Sequence, residues 1–205
     1  MNQLEVQWLG RIPYEEALAI QEKLVARPSV ATLLLLEHDP IYTIGRTQDQ
    51  SSLRSGHLPH PVLQTNRGGQ ATYHGPGQLV GYPIIDLNEF RRDLHHYLRT
   101  LEDLLVGVLA GYEITAKRRE GLTGVWVGQR KIASIGVGFR KWITMHGFAI
   151  NIGSDLSGFA AITPCGIDGV QMTSVSLEGG KEITGKDFAD KCGAVFNKSL
   201  LSCLK

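Results

Sequence analysis

Apolar side chains recur at helical spacing in three segments of the chain. In each segment they follow the i, i+3, i+4, i+7 pattern that places them on one face of an α-helix. Each stripe also has a start or stop signal, such as a proline at the first helical position, a final glycine, or a threonine with an acidic residue three positions later. The pattern predicts three helices, beginning near Pro13, Leu94 and Thr184, and Pro28 and Gly111 end the first two.

Shorter apolar runs between these stripes have the composition of β-strands. They cover residues 30–36, 41–44, 79–87 and 170–177, and a glycine-punctuated series over 121–152 is typical of an antiparallel meander. Pro83 lies within the run 79–87 and has no N–H for the hydrogen bonds between paired strands. Its position is therefore expected to be a sheet edge, a strand start or a bulge. Without repeats or long linkers, residues 1–205 are predicted to form one α+β domain, with helices packed on a mostly antiparallel sheet.

Composition narrows the class of protein. Of 205 residues, 42% are apolar and 20% charged, which is typical of a folded chain. There are 21 Lys plus Arg and 20 Asp plus Glu, so the net charge of +1 gives no general attraction to nucleic acid or to an anionic membrane. The longest aliphatic run, 33–36, is too short to span a bilayer, and three cysteines are not a disulfide framework. We therefore expect a soluble protein of the cytoplasm.

The most unusual segment covers residues 67–78, RGGQATYHGPGQ, which contain four glycines. Glycines let main-chain amides approach a ligand, and Arg67 and His74 offer donors to a carbonyl, carboxylate or phosphate. The spacing matches neither the phosphate-binding loop nor the dinucleotide fingerprint, so nucleotide binding does not follow. A solvent-exposed turn explains this composition equally well. In either case no ordinary strand or helix is expected here.

Cys165 is a candidate nucleophile, because it lies on a Pro-Cys-Gly corner that can present a thiol to a pocket. Cys192 and Cys203 instead follow a helical stripe and are expected to act as small apolar residues. A nearby cation would increase the thiolate fraction at neutral pH. Lys131, at the head of a glycine-rich strand, is a candidate for that cation, although a lysine after a hairpin is commonly solvated.

Histidine offers a second source of acid–base chemistry. His146 breaks an apolar strand just before a glycine, so it is expected either to make a structural hydrogen bond or to face a pocket. Five others are expected at the surface: His95 and His96 on the second helix, and His38, His57 and His60 in polar loops. No CxxC or HExxH spacing occurs, so no metal site is expected.

Four motifs occur in order along the chain: residues 67–78 followed by LVGYP, KIASIG at 131–136, HGFA at 146–149 and TPCG at 163–166. They resemble the motifs of the octanoyltransferase family of lipoate biosynthesis, and the resemblance covers most of the chain. It implies the α+β fold of the biotin and lipoate protein ligase catalytic domains. It also implies transfer of an octanoyl group from octanoyl-acyl carrier protein to a lysine of lipoyl domains, without a cofactor. The acceptors implied are 2-oxoacid dehydrogenase E2 subunits and the glycine cleavage H protein.

Roles for single residues follow from the same resemblance. Cys165 is similar to the family's acyl-accepting nucleophile, and Lys131 to the lysine that favours its thiolate. Three segments match the substrate-binding motifs: Arg67, Gly68, Gly69, Gln70, Ala71, Thr72, Tyr73 and His74; Ser134, Ile135 and Gly136; and Gly147, Phe148 and Ala149. The N-terminal region and the tail after Gly180 diverge from the family.

Docking of such partners needs local charge, because the net charge is close to zero. Acyl carrier proteins and lipoyl domains are both expected to be acidic. The basic clusters at residues 117–119 and 140–141 are candidates to meet them, although either is also typical of a solvated face.

Three other functions stay open from the sequence. A lipoate or octanoate protein ligase of the same fold would activate a free acid with ATP and need no nucleophilic cysteine. A non-catalytic acyl-binding or carrier-docking module would keep the fold without turnover. A papain-like hydrolase would pair Cys165 with His74 or His146 as its base.

Overall fold

Strands dominate the first three quarters of the chain in the computed structural model, which describes residues 3–47, 50–54, 58–179 and 181–205. The helices of these ranges are α1 (Tyr14–Ala26), α2 (Leu94–Ala110), α3 (Val175–Gly179) and α4 (Gly185–Cys203). The strands are β1 (Glu5–Ile12), β2 (Thr32–His38), β3 (Ile41–Ile44), β4 (Val62–Gln64), β5 (Thr72–His74), β6 (Gln78–Ile84), β7 (Lys117–Arg119), β8 (Leu122–Val127), β9 (Arg130–Arg140), β10 (Ile143–Asn151) and β11 (Gln171–Met172). Short 3₁₀ turns cover Leu87–Glu89, Ser157–Ala161 and Pro164–Gly166.

Eight strands form one mixed sheet in the order β1-β2-β6-β10-β9-β8-β7, with β11 also paired to β9. A second sheet has the order β4-β3-β5. Among the described strands, β1–β2, β3–β4 and β9–β11 are parallel pairs and the other six pairs are antiparallel. The predicted α+β fold with a mostly antiparallel sheet is confirmed.

The two faces of the large sheet are covered by different helices. Alternate residues of β2 divide between them, as the two-residue period of a strand requires: Leu33 and Leu35 join the core with α2 and α4, and Leu34 and Leu36 join the core with α1. All three predicted helices are present, and Thr184 Oγ1 accepts the N–H of Asp187 at 3.1 Å as the capping pattern predicts. No helix in the described part of the chain has the length and apolarity needed to cross a membrane.

Pro83 does not mark a sheet edge, because β6 lies between β2 and β10. Of the three expected positions, a sheet edge and a strand start are therefore wrong, since Pro83 is also the sixth of the seven residues of β6. The regular pairing of β6 with β10 ends at Gly81, two residues before Pro83, and Thr144 Oγ1 of β10 donates to the Pro83 carbonyl at 2.6 Å. The Thr144 side chain thus makes a hydrogen bond between the two strands at the point where Pro83 has no backbone N–H.

The structure also corrects three other predictions. Strand β1 precedes the first helix and is not in the predicted set, although Val6 and Trp8 alternate with polar residues before the pairing shifts between Trp8 and Arg11. The predicted strand over 170–177 is limited to β11, and its second half is helix α3. The glycine-rich segment 67–78 contains the short strand β5 and the first residue of β6, so it is not wholly irregular.

Candidate active site

Cys165 occupies a left-handed backbone conformation, with φ 56° and ψ 17°, in the turn Pro164–Gly166. Such values cost a non-glycine residue free energy and persist only where neighbouring bonds hold them. Here the Cys165 N–H donates to the Ala71 carbonyl at 3.0 Å, and the Gly166 N–H donates to the Thr163 carbonyl at 2.9 Å. The turn is therefore fixed to the end of the glycine-rich segment, with its thiol half-buried.

Lys131 lies directly beside this thiol. Its side chain is 1% exposed, and Nζ lies 3.2 Å from Cys165 Sγ and 5.4 Å from the centroid of the Trp126 ring. Within the described ranges, no carboxylate oxygen lies within ion-pair distance of Nζ. A Cβ at Gly124 of β8 would lie 2.6 Å from Lys131 Cε, so the glycine provides the space that the buried side chain occupies.

The paired strands β9 and β10 form the floor beside the thiol. Ser134 Oγ lies 3.7 Å from Cys165 Sγ, and Ser134 is directly opposite Ala149. Gly136 is opposite Gly147 two residues further along, on the same face. A Cβ at Gly136 would lie 2.9 Å from the Gly68 carbonyl oxygen, so this glycine lets the 67–74 segment pack closely over the sheet.

Arg67 is a second buried cation at the site, and only 7% of it is exposed. Its guanidinium donates to the Thr43 carbonyl at 2.6 Å and to the Gly68 carbonyl at 2.9 Å. Burial lowers the pKa of Arg67, whereas the nearby Tyr14 hydroxyl and Cys165 thiol act in the opposite direction. In the described residues it makes no ion pair with a carboxylate. Its charge is therefore available to a substrate group in the cavity.

A cavity of about 460 Å³, including its open mouth, brings most of the predicted site residues together. Its lining contains Cys165 and twelve of the residues expected to bind substrate: Arg67, Gly68, Gly69, Gln70, Thr72, His74, Ser134, Ile135, Gly136, Gly147, Phe148 and Ala149. Ala71, Tyr73 and Lys131 do not line it. Ala71 holds the Cys165 turn, Tyr73 packs on Tyr42 and Phe159 on the other side, and Lys131 lies behind the thiol.

Four lining residues are absent from the predicted substrate-binding set: Tyr14, Val80, Tyr82 and His146. In the sequence, Tyr14 directly follows Pro13 at the start of the first predicted helix, and Tyr82 belongs to the LVGYP string. The signal that was available was the alternation of Val80 and Tyr82 along β6, which places both on one face. His146 both lines the cavity and makes hydrogen bonds, so both of its expected roles are met.

The imidazoles near the cavity are neutral at pH 7. Burial, with the Arg67 charge beside it, lowers the pKa of His146 to about 4. Burial, with His38 next to it, holds the pKa of His74 well below its usual range. The hydrogen-bond partners of Cys165 Sγ among the described residues are Lys131 and Ser134, not a histidine. This geometry does not favour a papain-like Cys-His pair.

His38 is buried, so the prediction that it lies at the surface is wrong. Its ring nitrogens bond the Ile12 carbonyl at 3.0 Å and the Tyr82 hydroxyl at 2.8 Å, and burial lowers its pKa to about 4. The cause is the position of His38 at the end of β2, beneath the start of α1, which the polar composition of the following turn conceals. His57 lies outside the described residues.

The other two cysteines differ from each other. Cys192 is fully buried in α4, and burial raises the pKa of its thiol. Cys203 is exposed at the end of the same helix, so the prediction that it acts as a packed apolar residue is wrong.

In the described ranges, no group of three or more His, Cys, Asp or Glu side chains could hold a metal ion.

Cys165, Lys131 and the glycine-rich segment lie around one cavity. Comparison with known proteins identifies the family to which this chain belongs. The family model described as the lipoyl protein ligase A/B catalytic domain matches residues 13–197. The chain belongs to this family. A protein of Syntrophotalea carbinolica named octanoyltransferase is 50% identical over 187 residues, which cover 89% of this chain and 85% of that protein. An octanoyltransferase of Geobacter sulfurreducens is 51% identical over 183 residues, covering 86% of this chain and 76% of that protein. The family resemblance inferred from the four motifs is confirmed.

Solved structures of two protein ligases share the fold of this chain. A lipoate-protein ligase A bound with ATP has a TM-score of 0.82 at 16% identity, covering 97% of this chain and 86% of that one. The biotin protein ligase of Aquifex aeolicus has a TM-score of 0.60 at 16% identity, covering 98% of this chain and 70% of that one. The predicted likeness to biotin and lipoate protein ligase catalytic domains is confirmed at the level of the fold.

Proposed function

We propose that the protein transfers an octanoyl group from octanoyl-acyl carrier protein to a lysine of lipoyl domains, through a thioester on Cys165. The observation that carries this proposal is the 3.2 Å contact between Cys165 Sγ and Lys131 Nζ at a cavity, in a chain about half identical to octanoyltransferases. The acceptors would be the lipoyl domains of E2 subunits and the H protein, and residues 1–205 would act as one catalytic domain. A location in the cytoplasm stays a prediction.

The first half-reaction forms the acyl-enzyme. A buried ammonium without a carboxylate partner needs a counter-charge, and the thiolate of Cys165 supplies it. The thiolate attacks the thioester carbonyl of the donor, the new C–S bond forms, and the bond to the pantetheine sulfur breaks. Lys131 then gives its proton to the departing thiolate and becomes a neutral amine. One thioester replaces another, so this step is close to balanced.

The second half-reaction uses the neutral amine that the first one leaves. The ε-amine of the acceptor lysine attacks the octanoyl-Cys165 thioester, and Lys131 takes the proton that this amine loses. The C–S bond breaks, and the thiolate and ammonium are restored as a pair. The product is an amide, which is more stable than a thioester, so this step drives the reaction forward.

An octanoyltransferase and an ATP-dependent ligase require different octanoyl donors, and this difference gives a direct test. Purified protein with octanoyl-acyl carrier protein and a lipoyl domain should give a lipoyl domain heavier by one octanoyl group. The same protein with free octanoate and ATP should give none. Modification only in the second mixture would contradict the proposal and favour a lipoate or octanoate ligase, and modification in neither would favour a non-catalytic module.

The docking surface for the acidic partners is expected at residues 117–119, the β7 cluster, rather than at residues 140–141. Arg119 lies 4.7 Å from the centroid of the Trp126 ring, whose other neighbour is Lys131 of the site. Residues 140–141 lie at the far end of β9, nine residues and about 30 Å from Lys131. Reversing the charge of exposed Lys117 and Arg118 to Glu should therefore raise KM for octanoyl-acyl carrier protein several-fold.

The matched control reverses Arg140 and Lys141, which should leave that KM near the wild-type value. Added salt should reproduce the effect of the β7 change, because exposed charges are screened over about 8 to 10 Å. The rate with octanoyl-pantetheine, which lacks the carrier protein, should stay unchanged in both variants. Equal losses with both donors would show damage to the cavity instead of a docking surface.

A further inference from the structure

The inner end of the cavity has a defined position along the sheet, and this position suggests a function for Tyr14 and His146. The thiol lies at the row of the sheet formed by Ser134, Ala149 and Val80. The next row on the same face contains Gly136 and Gly147, two residues further along β9 and β10, and Tyr82 follows Val80 at the same spacing on β6. The path from Cys165 into the protein therefore follows β9 and β10 toward His146.

Tyr14 and His146 together close this path. The Tyr14 hydroxyl lies 3.3 Å from His146 Nδ1, and Tyr14 is 2% exposed at the first turn of α1. The His146 backbone turns out of the strand at φ 54°, its N–H donates to Gln21 Oε1 at 2.8 Å, and Nε2 bonds Asn66. These bonds fix the pair from both helix and loop, so the wall is rigid.

The wall is also backed by packed core. Ala17, three residues after Tyr14 on α1, and Met145, next to His146 on β10, are both buried in the cluster between α1 and the sheet. Neither residue lines the cavity. The neighbours of Tyr14 and His146 therefore belong to the packed core and not to the cavity.

The length of the path matches one acyl chain. Ala149, opposite Ser134, is three residues from His146 on β10, and a strand rises about 3.3 Å per residue, so the path is about 10 Å long. An octanoyl chain has seven C–C bonds, and staggered bonds of about 1.5 Å advance about 1.25 Å each, which gives about 9 Å. Two or four further methylenes would meet the Tyr14 ring.

We infer that Tyr14, held by His146, sets the length of the acyl chain that Cys165 accepts. The inference rests on the proposed function, because it needs an acyl group on that sulfur. Tyr14 acts here as a specificity-determining residue and takes no part in bond making. Its ring occupies the space that the last methylenes of a longer chain would need.

The test compares donors of different length. Octanoyl-, decanoyl- and dodecanoyl-pantetheine are each offered to the protein, and the rate of Cys165 acylation is followed by intact mass. The wild type should lose at least tenfold in rate from octanoyl to dodecanoyl, since chains that clash with a packed wall are strongly rejected. Tyr14→Ala should raise the dodecanoyl-to-octanoyl ratio at least tenfold, and Tyr14→Leu should raise it less.

Two controls separate length selection from other effects. Tyr14→Phe keeps the ring and loses only the hydroxyl, which bonds His146, Tyr82 and Thr65, so it should keep the wild-type preference. Trp142→Ala removes a ring of similar size at the exposed β9–β10 turn and should also leave the ratio unchanged. A ratio is insensitive to the fraction of folded protein, and the melting temperature of each variant shows whether it folds.

The inference is overturned if the ratio is unchanged in folded Tyr14→Ala or, where that variant does not fold, in Tyr14→Leu. It is also overturned if the wild type accepts dodecanoyl as fast as octanoyl. A wild type that forms no Cys165 adduct with any of the donors gives a different result, because it overturns the proposed function itself.

Discussion

Replacement of Cys165 by alanine is expected to lower octanoyl transfer by at least about 10³-fold, because neither of the other two cysteines lies at the cavity next to Lys131. Wild-type protein exposed to octanoyl-acyl carrier protein should gain the mass of one octanoyl group, and hydroxylamine should release it, as it does a thioester. Cys165→Ala should gain no mass. The backbone should tolerate the change, because alanine and cysteine have the same Cβ constraint at φ 56°.

Cys203 provides the matched control, because it is the exposed cysteine among the three. Cys203→Ala should keep both the adduct and the transfer rate, which excludes unspecific acylation of an accessible thiol. Cys192 is fully buried, and burial disfavours its thiolate, so it should not react in the folded protein. An adduct that persists in Cys165→Ala would refute the acyl-enzyme proposal.

The three long helices were predictable because their signals are local. Helix α2 has an unbroken apolar stripe and ends at Gly111, and Thr184 caps α4 through its bond to Asp187. Both signals lie within a few residues of the element that they define. The antiparallel meander from β8 to β10 was predictable for the same reason, since its strands are joined by turns of two residues, the first of which contains Gly128.

The burial of Lys131 was not predictable from its neighbours in sequence. A lysine after a hairpin turn is normally solvated, and nothing within residues 128–134 contradicts that interpretation. Burial depends on Gly124 and Trp126 of the adjacent strand, and on a turn 34 residues away that brings in Cys165. The resemblance to the family supplied what the local pattern lacks, namely which lysine lies next to which cysteine.

The inner wall of the cavity illustrates the same limit. Tyr14 and His146 are 132 residues apart in the chain, and they meet because α1 packs on the face of the sheet that β10 shares with β6. The apolar stripe in the sequence predicts which face of α1 is buried, but it does not predict which strand that face contacts. Position along a sheet depends on strand order, which single-sequence patterns do not determine.

Lys131→Met is expected to lower octanoyl transfer by about 10² to 10⁴-fold, the range for loss of a positioned acid–base group. Methionine is about as long as lysine and is apolar, so it should fill the space beside Gly124 and Trp126 without a charge. Loss of the ammonium 3.2 Å from Sγ removes the attraction that favours the thiolate. Alkylation of Cys165 by iodoacetamide at pH 7 should therefore slow.

Lys131→Arg separates the two roles of this residue. A guanidinium keeps its charge at every accessible pH, so it should partly preserve thiolate formation, and the departing pantetheine thiolate can take its proton from solvent. The same guanidinium should be unable to act as the base in the second half-reaction. Single-turnover experiments should then show octanoyl-Cys165 forming and persisting in the presence of a lipoyl domain. Exposed Lys141→Met is the matched control and should behave as wild type. If Lys131→Met is folded and both its alkylation at pH 7 and its transfer rate equal those of the wild type, Lys131 takes no part in the mechanism.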